Sequence, residues 1–181
     1  MWKKWSVIIL ITILILVVTW YYFKKRKIVP DNMTSSQRLI NALKVSEGFM
    51  AMPYLDDDSV TSIKEYSIGY GHQVKPGEEW MLHGITKAQA EDILREDLKV
   101  YEAAVRSQVN IPITQGLFDA LVDLNYQQGI GAISKSTVIK KINANASPEE
   151  IAEEFRRWVY DEGQIKQGIV KRREQNISWF A

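Results

Sequence analysis

Residues 47–72 read EGFMAMPYLDDDSVTSIKEYSIGYGH, and the change of pattern across Glu47 decides the fold class. Upstream, Thr34-Ser-Ser-Gln37 has capping-box spacing, and Leu39, Ile40, Leu43 and, less regularly, Val45 form an apolar stripe. That spacing predicts a helix over about 34–48. Downstream the helical period stops. Pro53, three successive aspartates, Gly69, Gly71 and intervening β-branched residues predict strands and turns over 49–75, a small antiparallel sheet.

Helical signals then resume. Thr86-Lys-Ala-Gln89 is a second capping box, and Ala90, Ile93, Leu94, Leu98, Tyr101 and Val105 predict a helix to about Ser107. Thr114 opens another helix through Leu117, Leu121 and Leu124, stopping near Gly129 as a C′ residue. A short helix is predicted at about 136–143. Ser147-Pro148-Glu149-Glu150 sets an N-cap, a proline at N1 and an acid at N3, ahead of an apolar face of Ile151, Phe155 and Trp158. A last helix is predicted near 166–178. The expected architecture is α+β: a mainly helical domain with a small antiparallel sheet lobe inserted after its first helix.

Residues 6–23, SVIILITILILVVTWYYF, carry no charge, Pro or Gly. Eighteen residues at about 1.5 Å each span roughly 27 Å, close to bilayer hydrocarbon thickness. Trp2 and Trp5 flank one end, Trp20, Tyr21 and Tyr22 the other, with lysines outside both. The pattern predicts one uncleaved transmembrane helix; the KKRKIVPD that follows Phe23 offers no small-x-small cleavage site. The expected organisation is 1–27 anchor with basic flanks, 28–33 linker and 34–181 folded domain. Flanking charge leans slightly toward a cytoplasmic C-terminal side, opposite to what the function below requires.

Six of the 23 basic side chains lie in residues 1–27 and none of the 22 acidic ones, so the remainder is acidic by five. A basic stripe for nucleic acid is therefore not expected on the domain. Zero cysteines exclude disulfides and thiolate metal sites, and two histidines leave little for a metal; no metal or cofactor is expected.

The chemistry concentrates on Glu47 and Asp56. A carboxyl at the end of an apolar helix is partly buried, which raises its pKa and keeps it protonated as a donor. One nine residues on, beside Asp57 and Asp58, would stay ionised on a polar lobe. Two carboxyls in unlike surroundings suit glycosidic hydrolysis: one protonates the leaving oxygen, the other activates water or stabilises the oxocarbenium-like transition state. By itself the pairing says little in a chain one-quarter charged.

Its context is specific. Glu47-Gly-x-x-x-x-x-Tyr54-x-Asp56, then Ser67-Ile-Gly69-Tyr70-Gly71-His72, resembles the signature of phage-type lysozymes, glycoside hydrolase family 24. Phe118-Asp-Ala-Leu121, Tyr126-Gln-Gln-Gly-Ile-Gly-Ala132, Ser136-Thr137, Phe155-Arg-Arg-Trp158 and Gly168-Ile-Val-Lys-Arg-Arg-Glu174 are similar to later blocks of that family, so the likeness covers about 39–178. It implies a lysozyme-like domain, Glu47 as general acid, Asp56 as second carboxylate, and Ser67 at the position of a water-holding threonine. Gln127, and more weakly Ser136, are implied to bind sugar. Two departures stand out: ten residues rather than about five separate Asp56 from Ser67, and Ser replaces Thr, losing the methyl that restricts its rotamer.

The resemblance implies cleavage of the β-1,4 bond between N-acetylmuramic acid and N-acetylglucosamine by a monomeric catalytic domain. Its partners would be peptidoglycan strands and, through 6–23, a lipid bilayer. Placement on the peptidoglycan side of a host inner membrane, or in a membrane-containing virion, is expected. A lytic transglycosylase and a silent peptidoglycan-binding virion protein are the competing readings. His72 reads as a structural hydrogen-bonding residue and His83 as surface. Trp80 and Trp158 read as core, and Lys171-Arg172-Arg173 as a solvated helix-end patch.

Overall fold

The computed structural model describes residues 12–15, 17, 29–55, 66–161 and 163–181. The expected membrane span lies outside the described residues except for 12–15 and 17, which are helical with exposed Ile13, Leu14, Ile15 and Val17. Among the described residues, no helix is long and apolar enough to cross a membrane.

Helix α1 (Gln37–Glu47) is capped by Ser36, not Thr34. The Ser36 hydroxyl accepts from the Leu39 N–H while donating to Asp119, whose carboxylate also takes the Ser36 N–H at 3.1 Å. Asp119 is fully buried, so this tertiary anchor fixes which serine caps. Leu39, Ile40 and Leu43 are buried as the stripe predicts, whereas Val45 is 85% exposed.

Strands β1 (Met50–Leu55), β2 (Tyr66–Gly69) and β3 (His72–Gln73) form an antiparallel sheet in that order. Tyr54 pairs with Ser67 and Leu55 with Tyr66; the register slips between Met50 and Tyr54, where Pro53 can donate no ladder hydrogen bond. Residues 56–65 join the paired ends, so the extra length falls in the β1–β2 connection. Gly69, at φ +68°, lets the sheet press on the next helix: a Cβ there would lie 3.1 Å from Ala90 Cβ.

A 3-10 turn, Glu79–His83, leads to α2 (Lys87–Gln108), which starts with the predicted Thr86–Gln89 capping box. Trp80 on that turn is half exposed, not core, because its short turn has a single buried residue, Met81. His83 is exposed.

Helix α3 (Gln115–Gln128) is the spine of the domain: every residue from Gly116 to Asn125 is buried. Short α4 (Ile130–Ser134), which the sequence did not indicate, precedes α5 (Thr137–Asn143) and α6 (Pro148–Arg156), the latter with the predicted Ser147 cap. A hairpin of β4 (Tyr160–Asp161) and β5 (Gln164–Ile165), also unpredicted, leads to α7 (Gln167–Ile177). Leu98, Phe118, Leu121, Leu124, Ile142 and Phe155 sit at the centre of one continuous core. Trp158 packs at its edge.

His72 ties the sheet to the helices. Nearly buried, its Nδ1 lies 2.7 Å from Asp97 on α2 and its Nε2 2.9 Å from Glu78. The Asp97 hydrogen bond, with help from Glu78, raises the imidazole pKa against the opposing effect of burial. The structural reading of His72 holds.

Candidate active site

Glu47 is the last residue of α1, and Gly48, at φ +72°, turns the chain from it into β1. The carboxyl therefore stands where the helical part meets the sheet. Its side chain is about a quarter exposed. A Cβ on Gly71 would lie 3.7 Å from Tyr126 Oη and 3.8 Å from Glu47 Oε2. Both are ordinary contact distances, so it is the positive φ of +82° at this turn that favours glycine at 71.

The surroundings of Glu47 are more ionic than an apolar helix end suggests. Arg172 on α7 reaches Glu47 Oε1 with Nη1 at 3.4 Å and donates to Ser46 Oγ at 2.9 Å. The rest of the guanidinium is committed to Asp123 of α3: Nη2 to Oδ1 at 2.7 Å, Nε to Oδ2 at 3.0 Å and to Oδ1 at 3.1 Å. This fork is the strong geometry of an arginine–carboxylate pair. Burial opposes the charge of Arg172, but the Asp123 hydrogen bond and charge, then Glu47, hold its pKa above the usual value. Tyr126 lies beneath: burial and then the charge of Glu47 push its phenol pKa up, so the O–H stays protonated.

Arg173 is wholly buried, donating to Asn176 Oδ1 at 2.8 Å and to Gln127 Oε1. Burial lowers its pKa to about 10, partly offset by Asp123. The expected solvated patch at 171–173 is therefore corrected: only Lys171 is exposed, while Arg172 and Arg173 are internal counter-charges for Asp123. Successive helical residues fan out about 100° apart, so three in a row cannot share one solvated face. Asp123 was the missed signal. An acid four residues after Asp119, inside an otherwise apolar helix, needs a buried cation.

Of the other expected residues, Ser67, Gln127 and Ser136 belong to three different elements. Ser67 is buried on β2, opposite Tyr54. Asp56 follows β1 directly in sequence but lies outside the described residues. Gln127 is half-buried beside Arg173. Ser136 caps α5, its hydroxyl accepting from the Ile139 N–H, at 8% exposure. Among the described residues, no group of three His, Asp or Glu side chains is placed to hold a metal ion.

A two-part α+β domain with a carboxylic acid at the junction of its helical and sheet parts is of the lysozyme-like class. The chain belongs to the phage lysozyme family, whose model matches residues 44–176. The endolysin of Bacillus phage PZA is 36% identical over 151 residues, 82% of this chain and 55% of that protein. The chain thus spans about half the length of that relative. A P22 lysozyme variant superposes with a TM-score of 0.67 at 27% identity, covering 81% of this chain and 97% of that one. The muramidase domain of SpmX from Asticaccaulis excentricus gives 0.66 at 28%, covering 80% and 95%.

Proposed function

We propose that the chain is a peptidoglycan hydrolase cutting the β-1,4 bond between N-acetylmuramic acid and N-acetylglucosamine, with Glu47 as general acid. The observation that carries this reading is the placement of Glu47 at the junction of the two parts, oriented by Arg172, in a chain of the phage lysozyme family. Because Asp123 takes up most of the guanidinium's charge, Arg172 can fix the rotamer of Glu47 while leaving little net positive charge against it. Glu47 then protonates the leaving oxygen. Asp56 serves as the second carboxylate, and Ser67 helps hold the attacking water. Gln127 and Ser136 contact sugar. The Gln127 carbonyl is occupied by Arg173, which leaves its amide N–H groups for a ligand.

Glu47→Gln keeps shape and removes the proton. General acid catalysis is typically worth 10²–10⁴-fold. Turbidity clearing of purified cell walls should therefore fall by at least about a hundredfold, and retention of more than about a tenth of the rate would refute the assignment. Products with ordinary reducing ends are expected; 1,6-anhydro ends would favour transglycosylation.

Residues 6–23 anchor the enzyme in a lipid bilayer as a single-pass protein, with the catalytic domain on the peptidoglycan side. The span rests on the length and apolarity of the segment and its aromatic belts; the side rests on the peptidoglycan-hydrolase reading, against a slight lean of the flanking charge.

A further inference from the structure

A pocket of about 600 Å³ lies between the 3-10 turn Glu79–His83 and the first half of α2. Glu47, Ser67 and Gln127 do not line it. Its floor is apolar: the half-exposed Trp80, with Met81 and Ile93. Gln89, Asp92 and Glu96 are spaced three and four apart, so one face of α2 forms the rim. Most of the charge around the pocket is answered inside the protein. Glu78 and Asp97 hold His72 between them, Lys75 also reaches Asp97, and Lys99 binds Glu96. Arg95 is committed to Glu91. What remains beside the indole is a free acceptor and a free donor. The Asp92 carboxylate makes no hydrogen bond or ion pair among the described residues. The Gln89 Oε1 accepts from Thr86, while its amide N–H groups make no hydrogen bond among the described residues. The indole keeps apolar area in water that a ligand can cover.

We propose that this pocket is a second binding site for the glycan strand, apart from the site at Glu47. Trp80 is its stacking platform, Asp92 accepts from sugar hydroxyls, and Gln89 donates to an acetamido carbonyl. The inference rests on the peptidoglycan reading above. A pyranose ring has an apolar C–H face and a rim of hydroxyls, so it needs a flat apolar floor with donors and acceptors at the edge. The pocket has that arrangement, an apolar lining with a few free polar groups. N-acetylated sugars carry no charge, which suits a rim whose ion pairs are already closed. A glycan strand repeats the same unit along its length, so a strand held at Glu47 on one molecule has further sugars to offer Trp80. A second hold keeps the enzyme on an insoluble substrate between cuts.

The test titrates the full-length chain in detergent micelles, carrying Glu47→Gln to prevent cleavage, with the β-1,4-linked N-acetylglucosamine tetramer. Indole N–H resonances report the binding, and the Trp80 signal is the one missing from Trp80→Phe. That signal should shift with the tetramer, and Asp92→Asn should weaken the response about fivefold, the size of one hydrogen bond. On purified walls, Trp80→Ala should raise KM about fivefold with kcat and Tm unmoved, and Trp80→Phe should restore most of the loss. A Trp80 signal indifferent to the tetramer, or a KM that Trp80→Ala leaves alone, overturns the proposal. So does a response to tetramethylammonium in place of the sugar, which would make the pocket a cation site. A Trp80 response in a chain whose wild type clears no walls would support the pocket while sinking the glycosidase reading. Wall clearing with a silent Trp80 would do the reverse.

Discussion

Replacing Asp123 by asparagine tests the buried ionic cluster beneath Glu47. The Asp123 side chain is 3% exposed, and it faces two guanidiniums exposed by 14% and 0%. Asparagine keeps the volume, but it removes the charge and turns an N–H toward donors that had met an oxygen. Arg172 retains only Glu47 as an anion, at 3.4 Å, and Arg173 retains neutral Gln127 and Asn176. Breaking a buried ion pair by removing one partner costs about 3–5 kcal/mol, because the other charge stays behind uncompensated. In a domain of this size that lowers Tm by on the order of 10 °C. Urea unfolding of Asp123→Asn should show this loss. Adding Arg173→Met should recover a good part of it, since the wholly buried charge is then gone, and a double-mutant cycle reads the coupling. Wall-clearing activity should fall about tenfold in folded Asp123→Asn, as a released Arg172 turns fully onto Glu47 and competes for its proton-bearing oxygen. A loss below about 1 kcal/mol, or no recovery in the double variant, would refute the reasoning.

The His72 clamp makes stability depend on pH. A raised histidine pKa contributes stability that is complete below the ordinary value of 6.5 and is lost as pH rises through the folded value. Burial opposes the ionisation of Glu78, but its hydrogen bond from His72 lowers its pKa overall, so its share is present above 4.5 and lost in acid. The gap between wild type and His72→Asn in denaturant midpoints should be widest between about pH 4.5 and 6.5, at about 2–3 kcal/mol. A gap that widens toward pH 9 would contradict the clamp. Ser67→Thr should clear walls as fast as wild type or faster and Ser67→Ala far more slowly; an indifferent alanine variant removes Ser67 from water placement. Asp56→Asn should be severely impaired and Asp57→Asn and Asp58→Asn mildly, and a sensitive neighbour would show that the register through the insertion between Asp56 and Ser67 has slipped. Full-length protein should resist alkaline carbonate extraction from membranes while fragment 28–181 clears walls unaided; recovery of the full chain in the detergent-free soluble fraction would sink the anchor alone.

Local signals read correctly wherever the determining contacts are near in sequence. The Thr86 and Ser147 capping boxes formed as spaced, because the cap hydroxyl and the N–H it binds lie three residues apart. The Leu39–Leu43 stripe went inside, since one face of a helix must leave water. Glu47 could be located at the helix-to-strand switch for the same reason. Where determinants were distant, the sequence was silent or misleading. Ser36 rather than Thr34 caps α1 because Asp119, 83 residues away, holds it. The β4–β5 hairpin and the exposure of Trp80 follow from packing that carries no periodic trace. The sequence by itself determined the α+β order, the Thr86, Thr114 and Ser147 caps and the place of Glu47 at the end of the first helix. Only the tertiary structure decided that Arg172 and Arg173 turn inward to Asp123, and with that the charge facing Glu47. A buried charge is tolerated only when a partner reaches it, and that partner lies on a helix 49 residues further along the chain.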